Sequence, residues 1–373
     1  MNWLRIRELV RKEFIQLFRD ERNRRILIIA PLVQILVFGY VVNFDIHTIN
    51  VALLDLSQSR ESRTIAETFR AGGTFRFTHY ARDTRELEEL LMAGKVDLGL
   101  RIGPDLAEKI RRGETSEMQV LVDGTVSNMA AVRVSYVVSV LERLNRQFLK
   151  ELYPFRLTYG HIDNRLRTWY NPNLYSQHFF VPGIIAFTIM LSSLLFTSMA
   201  VIKEKEAGTM EQLIVTPLRP YELIMGKTIP FILISLIQMI MITIFAVWWF
   251  ELPMSGSVSL FFVANCLFLL STMGIGLFIS TVAATQQQAM MTNFFFIQPS
   301  FLLSGFIFPI ANMPAPVQWL TLVNPFRYIL VIIRGIFLKG VGIEILWPQY
   351  LALTVLGLVV FSAAVLRFHK RLD

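Results

Sequence analysis

The 373-residue chain is 54% hydrophobic and only 17% charged, against roughly a quarter charged in soluble globular proteins, which excludes an ordinary water-covered globule. Lys and Arg outnumber Asp and Glu by 36 to 28, a net charge of +8, yet no nucleic-acid module accompanies that charge, so nucleic acid is not expected as a partner. The single cysteine, Cys266, rules out an intrachain disulfide, and His47, His79, His161, His178 and His369 lack metal-ligand spacing, so neither a metal nor a bound cofactor is expected.

Residues 1–25 read as a cytoplasmic amphipathic helix at a membrane surface. Trp3, Ile6, Val10, Phe14, Leu17 and Phe18 recur at helical spacing, with Arg5, Glu8, Arg11, Lys12 and Gln16 mostly on the other side. The basic residues Arg5, Arg7, Arg11, Lys12, Arg19, Arg22, Arg24 and Arg25 all precede the first apolar run, as expected of a cytoplasmic flank. Residues 26–44 carry no charge and one proline, Pro31; their length suits a retained first transmembrane helix rather than a cleaved signal, and no small-residue cleavage site follows.

Residues 45–173 change character. Short β-rich runs (INVALLDL, FRFTHY, VDLGLRI, MQVLVDG) alternate with helical stretches, the pattern of a mixed sheet flanked by helices. Roughly 130 residues suffice for a separate core. Asp83 and Asp105 mark helix starts, and a capping role is preferred to a catalytic one. No Ser/His/Asp, metal or paired-carboxylate arrangement stands out, so no catalytic residue is expected.

Apolar stretches return at 179–202, 229–250, 258–282, 290–308 and 346–366. With 26–44 they predict an α-helical integral membrane protein with six transmembrane helices, the last five within 174–373, plus an inserted extracytoplasmic α/β domain. An even number of spans puts both termini on one side. The basic N-terminus and the tail residues Arg367, Lys370 and Arg371 make that side the cytoplasm of a multi-pass inner-membrane protein. Arg327, Arg334 and Lys339 then fall outside, against the charge rule.

The loop 203–227, KEKEAGTMEQLIVTPLRPYELIMGK, is the most informative stretch. Lys203, Glu204, Lys205 and Glu206 mark the exit from the bilayer, Gly208 breaks the helix, Thr209 caps a short new one through Leu213, and Thr216, Pro217 and Pro220 end it. Met210, Leu213 and Ile214, beside Glu211 and Gln212, would face water unless a cytoplasmic partner covers them. The alternative is a loop packed on its own helix ends. Gly226-Lys227-Thr228 ends like a phosphate-binding motif, but Tyr221 stands where its first glycine belongs, so ATP is not expected on this chain.

The loop resembles the coupling segment of ABC-2 type permeases, where a Glu-x-Glu-x-Gly-Thr-Met-Glu-Gln-Leu run and a Thr-Pro follow the second span. Lys12-Glu13, Arg19-Asp20 and Pro31 are similar to that family's interfacial helix and first span. VALLDLSQSR at 51–60 and GKVDLGLRIGPDLAEKIRRGE at 94–114 are similar to its large outer domain, and residues 303–340 to its segment between spans five and six. The resemblance implies a half-transporter: two permease chains, identical or paralogous, with separate ATPase subunits that hold the ATP and Mg. It implies that Glu204, Glu206, Gly208, Thr209, Met210, Glu211, Gln212, Leu213, Thr216 and Pro217 couple to the ATPase, Glu211 being equally readable as a solvated helix charge. It further implies a periplasmic membrane-fusion adaptor on the outer domain where the source is Gram-negative, within a drug or small-molecule efflux system.

The family places two short helices that dip into the outer leaflet at 309–345, so Pro309, Pro314, Pro325, Arg327 and Arg334 are the expected outer gate, with both arginines snorkelling to lipid headgroups. A surface loop with interfacial arginines is the plainer alternative. Asn293, Gln298 and Ser304 are candidates for a substrate path, although hydrogen bonds between helices explain such residues equally well. The run Phe294, Phe295, Phe296, Phe301, Phe306 and Phe308 would suit amphipathic cargo, or ordinary packing. The competing function is a membrane receptor or scaffold that binds ligand through the outer domain without transport; a membrane-bound enzyme ranks third.

Overall fold

The computed structural model describes residues 3–19, 21–41, 48–152, 169–171, 175–208 and 220–369. These fall into two compact units, one of residues 1–43 and 167–373 and the other of 44–166.

The 44–166 unit is built on a four-stranded sheet. Strands β1 (Ile49–Asp55), β2 (Phe75–Tyr80), β3 (Leu98–Ile102) and β4 (Met118–Val122) lie in the order β2-β1-β3-β4. β1 runs parallel to β2 and β3, with β4 antiparallel at one edge. Helices α3 (Arg60–Ala71), α4 (Thr84–Met92) and α5 (Leu106–Arg112) connect the strands, and α6 (Ser127–Leu152) follows them. Because side chains alternate across a strand, central β1 feeds two cores. Ile49, Val51 and Leu53 pack with Ile65 and Phe69 of α3 and Val137, Val140 and Leu144 of α6. Ala52 and Leu54 pack with Leu87 of α4.

The helix starts follow local chemistry. Ser59 and Ser62 form a reciprocal capping box at α3, and Asp83 caps α4 by accepting from Glu86 N at 2.7 Å. Asp105 sits at the N-cap of α5 but bonds no backbone N–H there. Lys109, one turn on, takes the carboxylate at 2.5 Å and holds its pKa below the ordinary value; an ion pair stands where a backbone cap was expected.

The other unit is helical. It comprises α1 (Trp3–Arg19), α2 (Glu21–Val41), α7 (Ser176–Glu206), α8 (Pro220–Trp249), α9 (Val258–Val282), α10 (Gln286–Leu302), α11 (Ala315–Leu320), α12 (Pro325–Arg334) and α13 (Ile343–His369). Among the described residues, four helices are long and apolar enough to cross a bilayer: Ser176–Glu206, Ile224–Trp249, Val258–Val282 and Ile343–Arg367. A fifth candidate is the pair Ala315–Val323 and Pro325–Lys339, bent by 85°.

The remaining two expected spans are shorter than the hydropathy implied. The apolar part of α2 covers Leu27–Val41, residues 42–47 lying outside the described set. The stretch 290–308 does not form one helix. α10 closes at Leu302, and Gly305 turns the chain with φ +85°, a conformation that glycine adopts without strain. The helix also starts earlier, capped by Thr285, so that Gln286, Gln287 and Gln288 occupy its first turn.

Candidate coupling site

The geometry around the loop 203–227 begins with the end of α7. Ala207 N donates to Lys203 O and Gly208 N to Lys205 O, at 3.1 and 3.3 Å. Gly208, at φ +68°, then takes the chain out of the helix. Glu206 points back at the start of α10, where its carboxylate accepts from Gln286 N at 2.7 Å and from Gln286 Nε2. An acid beside exposed N–H groups at a helix N-terminus is favoured by the helix dipole. Lys205 Nζ donates to Ala283 O at 3.4 Å, so α7 ends tied to the turn between α9 and α10.

Glu204 faces the opposite way and is buried. Its partner is Lys227, 4% exposed, whose Nζ donates to Glu204 Oε1 at 3.2 Å, Glu13 Oε1 at 3.1 Å and Ala200 O at 3.2 Å. An ammonium has three N–H donors, and here each has an acceptor. From the exposed side Lys12 Nζ approaches Glu204 Oε1 at 3.4 Å. A buried ion is tolerable only when its hydrogen-bonding capacity is met in this way.

Helix α1 is thereby drawn onto α8. Arg5 pairs with buried Glu222 at 3.9 Å. Between the two ionic contacts Leu9 lies over Gly226, where a Cβ added to the glycine would sit 2.7 Å from Leu9 Cβ. Arg5, Leu9 and Glu13 are spaced four apart and form one face of α1. They meet Glu222, Gly226 and Lys227 in the same order, so the two helices run in the same direction where they touch.

Of the residues expected to couple to an ATPase, Glu204, Glu206 and Gly208 are placed as above. Thr209, Met210, Glu211, Gln212, Leu213, Thr216 and Pro217 lie outside the described residues.

In the 309–345 segment, Pro309 precedes a short 3-10 turn, Pro314 precedes α11, and Pro325 opens α12. Asn324 caps α12 by accepting from Phe326 N at 3.0 Å and ties it to α10 by donating to Ser300 O at 2.7 Å. The arginines expected at headgroups are engaged within the fold. Arg327 donates to Thr321 Oγ1. Arg334 donates to Gly305 O at 3.2 Å and Phe306 O at 3.4 Å, with its guanidinium 3.8 Å from the centre of the Phe179 ring.

The three candidate path residues do not form one site. Asn293 is fully buried and donates to Ser198 Oγ at 2.6 Å, leaving its Oδ1 without a hydrogen-bond partner among the described residues. Gln298 is exposed. Ser304 is spent on local backbone, donating to Phe301 O and accepting from Phe306 N. The phenylalanine run divides as well: Phe294 and Phe295 are exposed, whereas Phe301 packs against Phe187, Phe306 and Phe326, and Phe306 against Phe326, in the core.

In the sequence Glu13 stands out only through the family resemblance, Lys227 only as the end of an incomplete phosphate motif, and Gln286 only as one of several polar residues in or beside the apolar stretches; Glu222 has no assigned role there. One signal was present. A lysine at the mouth of an apolar stretch, with an acid five positions before it, asks for a partner.

Comparison with known proteins bears on what this arrangement serves. The model of the ABC-2 family transporter protein matches residues 25–366. The Escherichia coli (strain K12) protein "Probable multidrug ABC transporter permease YbhR" is 30% identical over 367 residues, spanning 98% of this chain and 99% of that one. Its counterpart YbhS, of the same description, is 31% identical over 380 residues, spanning 100% and 99%. The "Inner membrane transport permease YhhJ" from the same organism is 27% identical over 360 residues, spanning 96% and 95%.

Proposed function

The chain belongs to the ABC-2 family of transporter proteins and is a permease subunit of an ABC exporter; from that premise we propose that it moves a small amphipathic molecule or drug out of the cytoplasm or inner leaflet. Two relatives described as multidrug permeases support that cargo class. ATP and Mg are held by a separate ATPase subunit, which docks on the loop 203–227. Two permease chains, identical or paralogous, make the working unit.

In this reading α2, α7, α8, α9, α10 and α13 are the six membrane crossings. Both termini are cytoplasmic and the 44–166 unit lies outside, where a periplasmic membrane-fusion adaptor is its partner. The bent 309–345 segment closes the outer end, and its apolar surface together with α1 is in contact with lipid.

The observation that carries the reading is the anchoring of both stems of the loop. One stem is held at Glu206 by the start of α10, the other at Lys227 by α1 and α7. A loop that must transmit force needs rigid attachments with two packed arrangements, not a free tether. The test is co-purification of the chain with its cognate ATPase and measurement of ATP turnover after Gly208→Trp or Glu206→Lys. The expected result is loss of association or of stimulated turnover. Unchanged association and turnover in both variants would sink the assignment.

A further inference from the structure

We infer that Lys227 is a positioning residue for the coupled step, making the interfacial helix α1 part of the body that moves with the loop 203–227. This role rests on the proposed docking of that loop on an ATPase.

Three elements meet at one ammonium. Lys227 belongs to α8, Glu13 to α1, and Glu204 with Ala200 to α7, and all three acceptors lie 3.1–3.2 Å from Nζ. Glu204 stands four residues before Gly208, and Lys227 stands seven residues after α8 begins at Pro220. The Lys227–Glu204 bond therefore closes the two stems of the loop on each other. The Lys227–Glu13 bond adds α1 to that closed pair. A displacement that pushes on the loop moves both stems together, and a buried, fully bonded ion cannot lag behind without leaving a charge unpaired in an apolar setting.

The row along α1 strengthens the point. A lone ion pair would let the helix swivel, but Arg5–Glu222, Leu9 over Gly226, and Glu13–Lys227 hold it at three successive turns. Ionic contacts bracket a steric one, so α1 follows α8 in tilt as well as in position. The exposed Lys12, also on Glu204, covers the triad from the solvent side.

The triad would also be present if it only stabilised the fold, and the experiment separates these roles. Lys227→Met alone leaves Glu13 and Glu204 facing each other and is expected to fold poorly. The triple variant Glu13→Gln, Glu204→Gln, Lys227→Met removes all three charges of the triad at once and leaves the Arg5–Glu222 pair in place; removing a buried ion cluster whole is far less costly than breaking it. Chains are reconstituted with the cognate ATPase in vesicles, and ethidium transport per ATP hydrolysed is measured beside thermal midpoint and ATPase association. The triple variant should keep its midpoint and its association while transport per ATP falls by about tenfold, the scale at which single sites alter coupling. Lys227→Arg, which keeps the charge and the reach, should restore most of it.

Wild-type transport per ATP in a folded triple variant would overturn the role of Lys227 while leaving the docking reading intact. A lowered midpoint with a parallel loss of association would overturn it too, reducing the triad to a structural lock. If the wild-type chain retains no ATPase, docking itself fails and this role falls with it.

Discussion

Lys227 and Glu13 stand 214 positions apart in sequence, yet Lys227 Nζ lies 3.1 Å from Glu13 Oε1, with both side chains under a tenth exposed. The arrangement makes the outcome of substitution unequal on its two sides. Lys227→Ala takes the shared ion from two buried carboxylates, whereas Glu13→Ala leaves the lysine with Glu204. Breaking a buried pair by removing one partner costs about 3–5 kcal/mol. Lys227→Ala should therefore lower the thermal midpoint in detergent well below that of Glu13→Ala; equal midpoints would contradict the shared-ion geometry.

Arg334 tests the 309–345 segment. Its fork reaches two carbonyls while its plane lies on Phe179, and lysine reproduces neither the fork nor the stacking. Arg334→Lys is expected to lose about 1.5–3 kcal/mol of local stabilisation, the value of a hydrogen bond to a charged group. Limited proteolysis near Gly305 should quicken and vesicle transport should fall, with ATPase association unchanged.

Asn293 presents two opposed terms. The bond to Ser198 is worth about 0.6 kcal/mol on average within membranes, and the buried Oδ1, unbonded among the described residues, carries a cost of about 1–3 kcal/mol. Asn293→Leu should consequently leave the thermal midpoint unchanged or raised. Asn293→Asp places a charge at the same buried position and should reduce insertion or yield, measured by membrane fractionation.

Within the 44–166 unit, Phe69 is fully buried and meets Phe75 edge to face at 5.0 Å. Phe69→Ala should destabilise that unit by about 3–5 kcal/mol. Because this unit has cores of its own, protease should cut it faster while the helical unit keeps its own resistance.

The parts of this molecule legible in the sequence are those fixed by local chemistry. The Asp83 cap depends on residues three apart, and the division of the β runs depends on alternation within each strand. Hydropathy located the stretches that form the four long apolar helices, but it counts side chains and cannot see where a backbone turns. It therefore ran 290–308 together across Gly305. The triad was hidden for a different reason: Lys227 finds Glu204 at 23 and Glu13 at 214 positions' distance, and no periodicity connects them. In the sequence Arg334 shows only its charge and its place in a segment that resembles the family's outer gate. Its carbonyl partners at Gly305 and Phe306 exist only once α12 has packed beside the turn after α10.

The close approach of Leu9 to Gly226 ties the inheritance of two distant codons. A side chain can be added at position 226 only if volume is surrendered at position 9; because the 2.7 Å contact is with Leu9 Cβ, which alanine keeps, Gly226→Ala should be damaging alone and relieved by Leu9→Gly but not by Leu9→Ala. A chimera that takes its N-terminal helix from a relative must take the matching stretch of α8 with it. Grafts that respect only the boundaries of the membrane segments will separate halves of a single fitted joint.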